Sequence, residues 1–256
     1  MTKQINLIIN GKGGVGKSFF ATNFVQYLKD HRIGHHAFDT DNENSTLKRF
    51  HQEAAFININ KVQRIDQLFS NFDDNNLVVV DCRAASTNIF LNYFKEVRVF
   101  EILETLGASL TIVSPVNHEA DSVEQVKIIS NALGPQCRYV IVRNQAHSEQ
   151  FRIYDSSQTR SRILTELAGC EIIMPKLYDW LVTGLNEINL SMTAAIAQSD
   201  FSLVDRQRLK NWQAKFYEQI EAGRELLLPS AGESKNNGKS KKKPAPIAEQ
   251  PGAATP

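Results

Sequence analysis

Gln4-Ile5-Asn6-Leu7-Ile8-Ile9-Asn10-Gly11-Lys12-Gly13-Gly14-Val15-Gly16-Lys17-Ser18 is the stretch on which the fold turns. Residues 4–9 form a short apolar run, interrupted by Asn6, of the kind a buried strand requires. Gly11, Lys12, Gly13, Gly14, Val15, Gly16, Lys17 and Ser18 then satisfy G-x-x-x-x-G-K-[ST] in full. Behind them Phe20, Phe24 and Leu28, with Ala21 and Val25, recur at helical spacing and mark a buried face. Strand, glycine loop and helix in that order make an anion cradle. Glycines let the backbone curl so that successive N–H groups point inward, and the helix start adds partial positive charge. In such a cradle Lys17 lies against the β- and γ-phosphates of a nucleotide, and Ser18 offers its hydroxyl to Mg²⁺. The segment expected to bind the nucleotide runs from Gly11 through Phe19. At ordinary glycine usage the four fixed positions coincide by chance in about one chain in a hundred.

A phosphate site of this kind also needs carboxylates beside the metal. Leu77-Val78-Val79-Val80-Asp81 reads as a strand buried on both faces and ended by an acid at its carboxyl end. Asp81 is therefore expected to hold Mg²⁺ through its water shell; an N-cap aspartate is the alternative. Phe38-Asp39-Thr40-Asp41-Asn42 places two more acids at the end of a neighbouring strand. Asp41 is expected to orient an attacking water and Asp39 to act on the magnesium side or as a structural partner. For both, an Asx-type turn is the competing reading.

The rest of the chain repeats the opening theme. Strands are expected at 4–9, 36–39, 77–81, 110–114, 139–143 and 171–174, separated by amphipathic helical segments. That alternation predicts a three-layer α/β fold, a mostly parallel twisted sheet flanked by helices. A final helix over about 203–228 carries Leu209, Trp212, Phe216 and Ile220 on one stripe. At Pro229 the composition changes to Pro, Ala, Gly, Ser and Lys, with five lysines against two glutamates. Residues 1–228 are expected to be the folded domain. Residues 229–256 bury too little apolar surface to offset their ordering entropy and read as a disordered tail.

Charges nearly cancel over the 256 residues, 29 Lys+Arg against 28 Asp+Glu, so no whole-protein field marks a nucleic-acid binder. No apolar run approaches the roughly 18 residues needed to span a bilayer. The amino terminus does not read as a cleavable signal, and Cys82, Cys137 and Cys170 are scattered and odd in number, which fits a reducing, cytoplasmic location. Neither C-x-x-C nor H-E-x-x-H spacing occurs, and His35-His36 reads as a solvated strand entrance.

Lys12, a second lysine at the start of the loop, makes K-G-G-V-G-K-S, which resembles the deviant Walker A motif of the ParA/MinD superfamily of ATPases. Asp39-Thr40-Asp41 and Asp81 fall where that family keeps its switch I and Walker B acids. The resemblance implies bound ATP and Mg²⁺, slow hydrolysis, and an ATP-sandwich homodimer in which Lys12 reaches the partner's phosphates as an arginine finger does. It also implies that Asn144 touches the adenine; a solvated loop asparagine is the alternative. Two departures stand out: Cys82-Arg83-Ala84-Ala85-Ser86-Thr87 replaces the usual proline pair, and Asp39-Thr40-Asp41-Asn42-Glu43 replaces D-x-D-P-Q. The small residues after Asp81, then Phe90 and Tyr93, and Asp205-Arg206-Gln207-Arg208-Leu209-Lys210 resemble the plasmid-borne branch linked to conjugal transfer and stability.

Family members act on DNA or on membranes. Arg206, Arg208, Lys210, Lys215 and Arg224 would suit a phosphate-contacting stripe, but Glu218, Glu221 and Glu225 share the helix, which also reads as a solvated face. A polar, lysine-bearing tail follows where a membrane anchor would stand, so membrane binding is the weaker expectation. The expected function is a dimerising switch ATPase in plasmid partition, stability or transfer, with non-specific DNA or a DNA-bound protein as partner. The alternatives are a nucleotide-dependent binding module with negligible hydrolysis, and a MinD-like membrane-positioning ATPase.

Overall fold

The computed structural model describes residues 3–70, 72 and 75–230. Its strands are β1 (Lys3–Ile8), β2 (His36–Asp39), β3 (Ala55–Phe56), β4 (Leu77–Asp81), β5 (Ala108–Val116), β6 (Arg138–Asn144) and β7 (Cys170–Met174). They form one sheet in the order β3-β2-β4-β1-β5-β6-β7, and every pairing is parallel. The chain thus starts at the middle of the sheet, builds one wing, and crosses back to build the other. The crevice at the carboxyl ends beside β1 is where such sheets bind ligands.

The helices on the first wing are α1 (Lys17–Asp30), α2 (Thr46–Phe50), α3 (Val62–Ile65), α4 (Gln67–Ser70), α5 (Thr87–Glu96) and α6 (Val99–Leu106). After β5 come α7 (Ala120–Leu133), α8 (Arg152–Asp155), α9 (Gln158–Thr165), α10 (Asp179–Ile188), α11 (Met192–Ala197), α12 (Leu203–Ala222) and α13 (Arg224–Leu227). Strand alternation divides the core in two. Ile5, Leu7, Val78 and Val80 face one layer with Phe90, Val126 and Ile163; Ile8, Leu77 and Val79 face the other with Phe20, Phe24 and Phe216. Both faces of the sheet are covered, as an all-parallel sheet requires.

Helix α1 is buried from Phe20 to Leu28 on all sides, polar Thr22, Asn23 and Gln26 included, because α2, α11 and α12 wrap the faces that the sheet does not cover. The stripe Leu209, Trp212, Phe216 and Ile220 packs on the domain as expected. Asn6, which broke the first apolar run, has a structural task. Its Nδ2 donates to Leu227 O at 2.7 Å, while Gln4 Nε2 and Thr111 Oγ1 donate to Leu226 O at 2.8 Å. Central strands thereby hold the last carbonyls of the C-terminal helix, groups a helix end leaves unpaired.

Two expectations are corrected. The edge strand β3 was not foreseen: two exposed residues carry no periodic signal. The last helix does not run unbroken to Leu228 but ends at Ala222 and restarts at Arg224: Gly223 between them leaves helical angles (φ −93, ψ 7), and a Cβ there would crowd Ile172 and Leu227. The tail expected over 229–256 lies, from residue 231 onward, outside the described residues. Among the described residues no helix is long and apolar enough to cross a membrane.

Candidate functional site

The loop after β1 is pinned at both ends, Ile9 N to Val113 O at 2.9 Å and Phe20 N to Gly16 O at 2.9 Å. Gly14 (φ 74) and Gly16 (φ 96) take left-handed backbone angles that a side chain would strain. No side chain caps the first turn of α1, so its N–H groups remain available to an anion. Gly11 is crowded for another reason: a Cβ there would stand 2.7 Å from Gln125 Cδ and 3.0 Å from Thr87 Oγ1, two side chains bonded to each other at 3.0 Å.

Lys17 is buried, and its Nζ donates to Lys12 O at 2.9 Å, inside the loop. Burial lowers its pKa, and the charge of Asp81 opposes that shift. Asp81 is buried, and neither carboxylate oxygen meets a donor in bonding geometry. Burial pushes its pKa up to about 8, with Asp39 reinforcing the rise and Ser18 and Lys17 opposing it. A buried carboxylate without a donor, beside an ammonium and a hydroxyl, matches the ligand chemistry of a hard cation with its waters. These residues fit magnesium.

The register Asp39↔Asp81 and Ile8↔Asp81 sets three strand ends at one height. Asp39 accepts from Asp41 N at 2.9 Å through Oδ1 and from Lys48 N at 3.2 Å through Oδ2. Its carboxylate therefore builds the loop that follows. Asp41 Oδ1 accepts from Glu43 N at 2.9 Å and Asn44 N at 3.2 Å, and Asn44 Nδ2 reaches its Oδ2. Burial works against its charge, yet these donors hold its pKa below the ordinary range. Both acids thus serve Asx-type turns in this conformation, while their charges still act on Asp81.

Sequence reasoning missed the stitching between segments. Thr40 N and Oγ1 donate to Asp81 O at 3.0 and 3.1 Å, Arg83 N donates to Thr40 Oγ1 at 2.9 Å, and Ala85 N donates to Gly11 O at 3.0 Å. The loops after β2 and β4 and the glycine loop are one hydrogen-bonded unit. Sequence spacing does not reveal this, since the partners are backbone N–H and C=O groups that nearly every residue carries, joined through the Thr40 hydroxyl.

Lys12 Nζ lies 3.2 Å from Glu119 and 3.4 Å from Asp121 of its own chain, and these partners raise its pKa. Asn144, expected at the base, has both polar ends engaged: Nδ2 donates to Val15 O at 2.9 Å and Oδ1 accepts from Ala146 N at 3.0 Å. It braces the glycine loop and also walls a cavity of about 380 Å³ shared with Gly14, Gly16, Phe19, Pro175 and Leu177. Phe19 is fixed edge-on to Trp212 at 5.3 Å. Ser18 is half-buried beside Asp81, and Val15 is buried.

The glycine loop, its lysine and the strand-end acids on a parallel sheet define a P-loop nucleotide-binding protein. The profile of the CobQ/CobB/MinD/ParA nucleotide binding domain matches residues 7–226, and the chain belongs to that family. It is 26% identical to Protein MobD of Acidithiobacillus ferrooxidans over 83% of this chain and 94% of that protein. Identity to a Protein TraL of Escherichia coli is 23%, over 86% and 98% of the two chains. Two solved structures share the fold. The septum site-determining protein MinD of Pyrococcus horikoshii, complexed with Mg-ADP, is 13% identical (TM-score 0.52, 86% and 96% covered). MinD in the MinC:MinD complex of Aquifex aeolicus is 14% identical (TM-score 0.52, 89% and 98% covered).

Proposed function

We propose that the protein is a cytoplasmic, magnesium-dependent ATPase that hydrolyses slowly and serves as a dimerising switch in plasmid DNA partition, stability or conjugal transfer. The observation that carries this reading is Asp81, a buried carboxylate whose oxygens meet no donor in bonding geometry, with Lys17 and Ser18 beside it. Magnesium, when bound, neutralises charge on the β- and γ-phosphates. Ser18 and Asp81 would hold it and its waters, with Asp39 behind them shaping the loop. The amides from Gly11 to Gly16 cradle the phosphates, and Lys17 exchanges Lys12 O for phosphate oxygens. The base enters the cavity between Phe19, Asn144 and Pro175. Asp41 orients the attacking water, and Lys12 leaves Glu119 and Asp121 for the phosphates of a second subunit. The relatives MobD and TraL support the plasmid branch, and non-specific DNA or a DNA-bound protein is the partner.

The turn that occupies Asp41 favours a second reading, a module that binds ATP with negligible hydrolysis. Phosphate release measured alongside ATP binding separates the two. The switch reading expects slow release that Asp41→Ala abolishes with ATP binding retained, and an ATP-dependent dimer in light scattering that Lys12→Ala loses. Binding without release, with DNA present, leaves the module. An ATP dimer unchanged in Lys12→Ala removes the role given to that lysine.

A further inference from the structure

On the far side of the Pro175–Leu177 wall lies a second concavity, a groove of about 370 Å³ lined by Pro175, Lys176, Tyr178, Arg208, Asn211 and Lys215 among others. Its lining carries three cations and no carboxylate. Arg208, Asn211 and Lys215 follow i, i+3, i+7 spacing, which puts them on one stripe of α12. Beside the groove, Tyr178 and Trp180 are stacked at 4.3 Å and 20°, although they are 51% and 55% exposed. Large aromatic rings held in parallel in water are not core residues. The Arg208 guanidinium stands 5.9 Å from both ring centroids, and Asp205 holds it at 2.7 Å while lying against Trp180. The platform is therefore fixed before any ligand arrives.

We infer that this groove binds a single-stranded nucleic acid, with phosphates on Lys176, Arg208 and Lys215 and an unpaired base on the Tyr178–Trp180 pair. Cations alone would suit any polyanion. The exposed stacked rings select among polyanions, because bases within a duplex already stack on one another, whereas a single strand offers open faces. None of these side chains belongs to the phosphate loop, so the inference stands apart from the switch reading. It bears on that reading because Pro175 and Leu177 line both the groove and the cavity beside Gly16, and Trp212 Nε1 fixes Pro175 O at 2.8 Å.

The test is fluorescence anisotropy of the full chain with labelled oligothymidylate and with a duplex of mixed sequence, without nucleotide and with magnesium and ATP. The single strand is expected to bind tighter than the duplex. Trp180→Ala should weaken it about tenfold, and Lys176→Gln and Lys215→Gln should each lower the salt slope by about 0.7. Trp180, Lys176 and Lys215 stand at the surface, so unchanged melting curves confirm folded variants. Equal affinity for both forms, insensitive to Trp180→Ala, overturns the proposal in favour of phosphate contact alone. So does absence of strand binding. ATP binding measured on the same samples reports separately on the switch reading.

Discussion

Gly16→Ala probes the brace between the glycine loop and β6. At φ 96 an alanine pays a backbone strain of about 1–3 kcal/mol. Its Cβ would stand 2.5 Å from Asn144 Nδ2 and 2.8 Å from Met174 Cε, two buried side chains of which Asn144 is held at both polar ends. Moving the amide breaks its bond to Val15 O and leaves a buried donor unpaired, a further loss of about 1–3 kcal/mol. The combined destabilisation is about 2–6 kcal/mol, read by urea denaturation of the wild type, both single variants and the double. Asn144→Ala alone loses the hydrogen bonds. In the double variant the clash is relieved, so its cost falls short of the sum by about 1–2 kcal/mol. A loss below about 0.5 kcal/mol for Gly16→Ala, or strict additivity, would refute the reasoning.

Three further outcomes follow from the packing and charges. Phe216 is fully buried between Trp212 at 5.2 Å and Phe20 at 5.6 Å, so Phe216→Ala should destabilise by about 3–5 kcal/mol in the same denaturation assay. Asn6→Leu removes the donor to Leu227 O and should cost about 1–3 kcal/mol, with faster amide exchange at the C-terminal helix. Burial works against the charge of Glu171, but Arg160 at 2.7 Å and Arg143 at 3.5 Å hold its pKa below the usual 4.5. A lowered folded pKa means stability present above the unfolded value and lost as pH falls through the folded one. Melting curves from neutral pH to below pH 4 should show that acid loss shallower in Glu171→Gln; an identical acid limb would contradict the assignment.

The six longer strands and the glycine loop were legible because their signals are local: apolar runs ended by turns, and glycines where positive φ is needed. Leu77–Asp81 is the clearest case, an apolar run closed by an acid and buried throughout. What escaped depends on tertiary placement. Ala55–Phe56 is too short and exposed for periodicity, and α1 looks amphipathic although later helices bury its polar side as well. The base contact expected of Asn144, the last residue of β6, rests on the family resemblance alone, and its bond to Val15, distant in sequence, leaves no trace in the residue pattern. Asp39 and Asp41 sit where expected, yet i+2 and i+3 amides compete for their oxygens, a contest that spacing alone does not decide. The Tyr178–Trp180 pair carried no pattern at all, since helical and strand periods report burial and these rings are exposed.

Calorimetric titration of ATP into the purified chain, with magnesium and with chelator, tests the phosphate-loop and Asp81 account most directly. Magnesium is expected to strengthen binding, Lys17→Ala to abolish it, and Asp81→Asn to remove its magnesium dependence. Binding indifferent to magnesium in the wild type, or no uptake of adenine nucleotide at all, would contradict it.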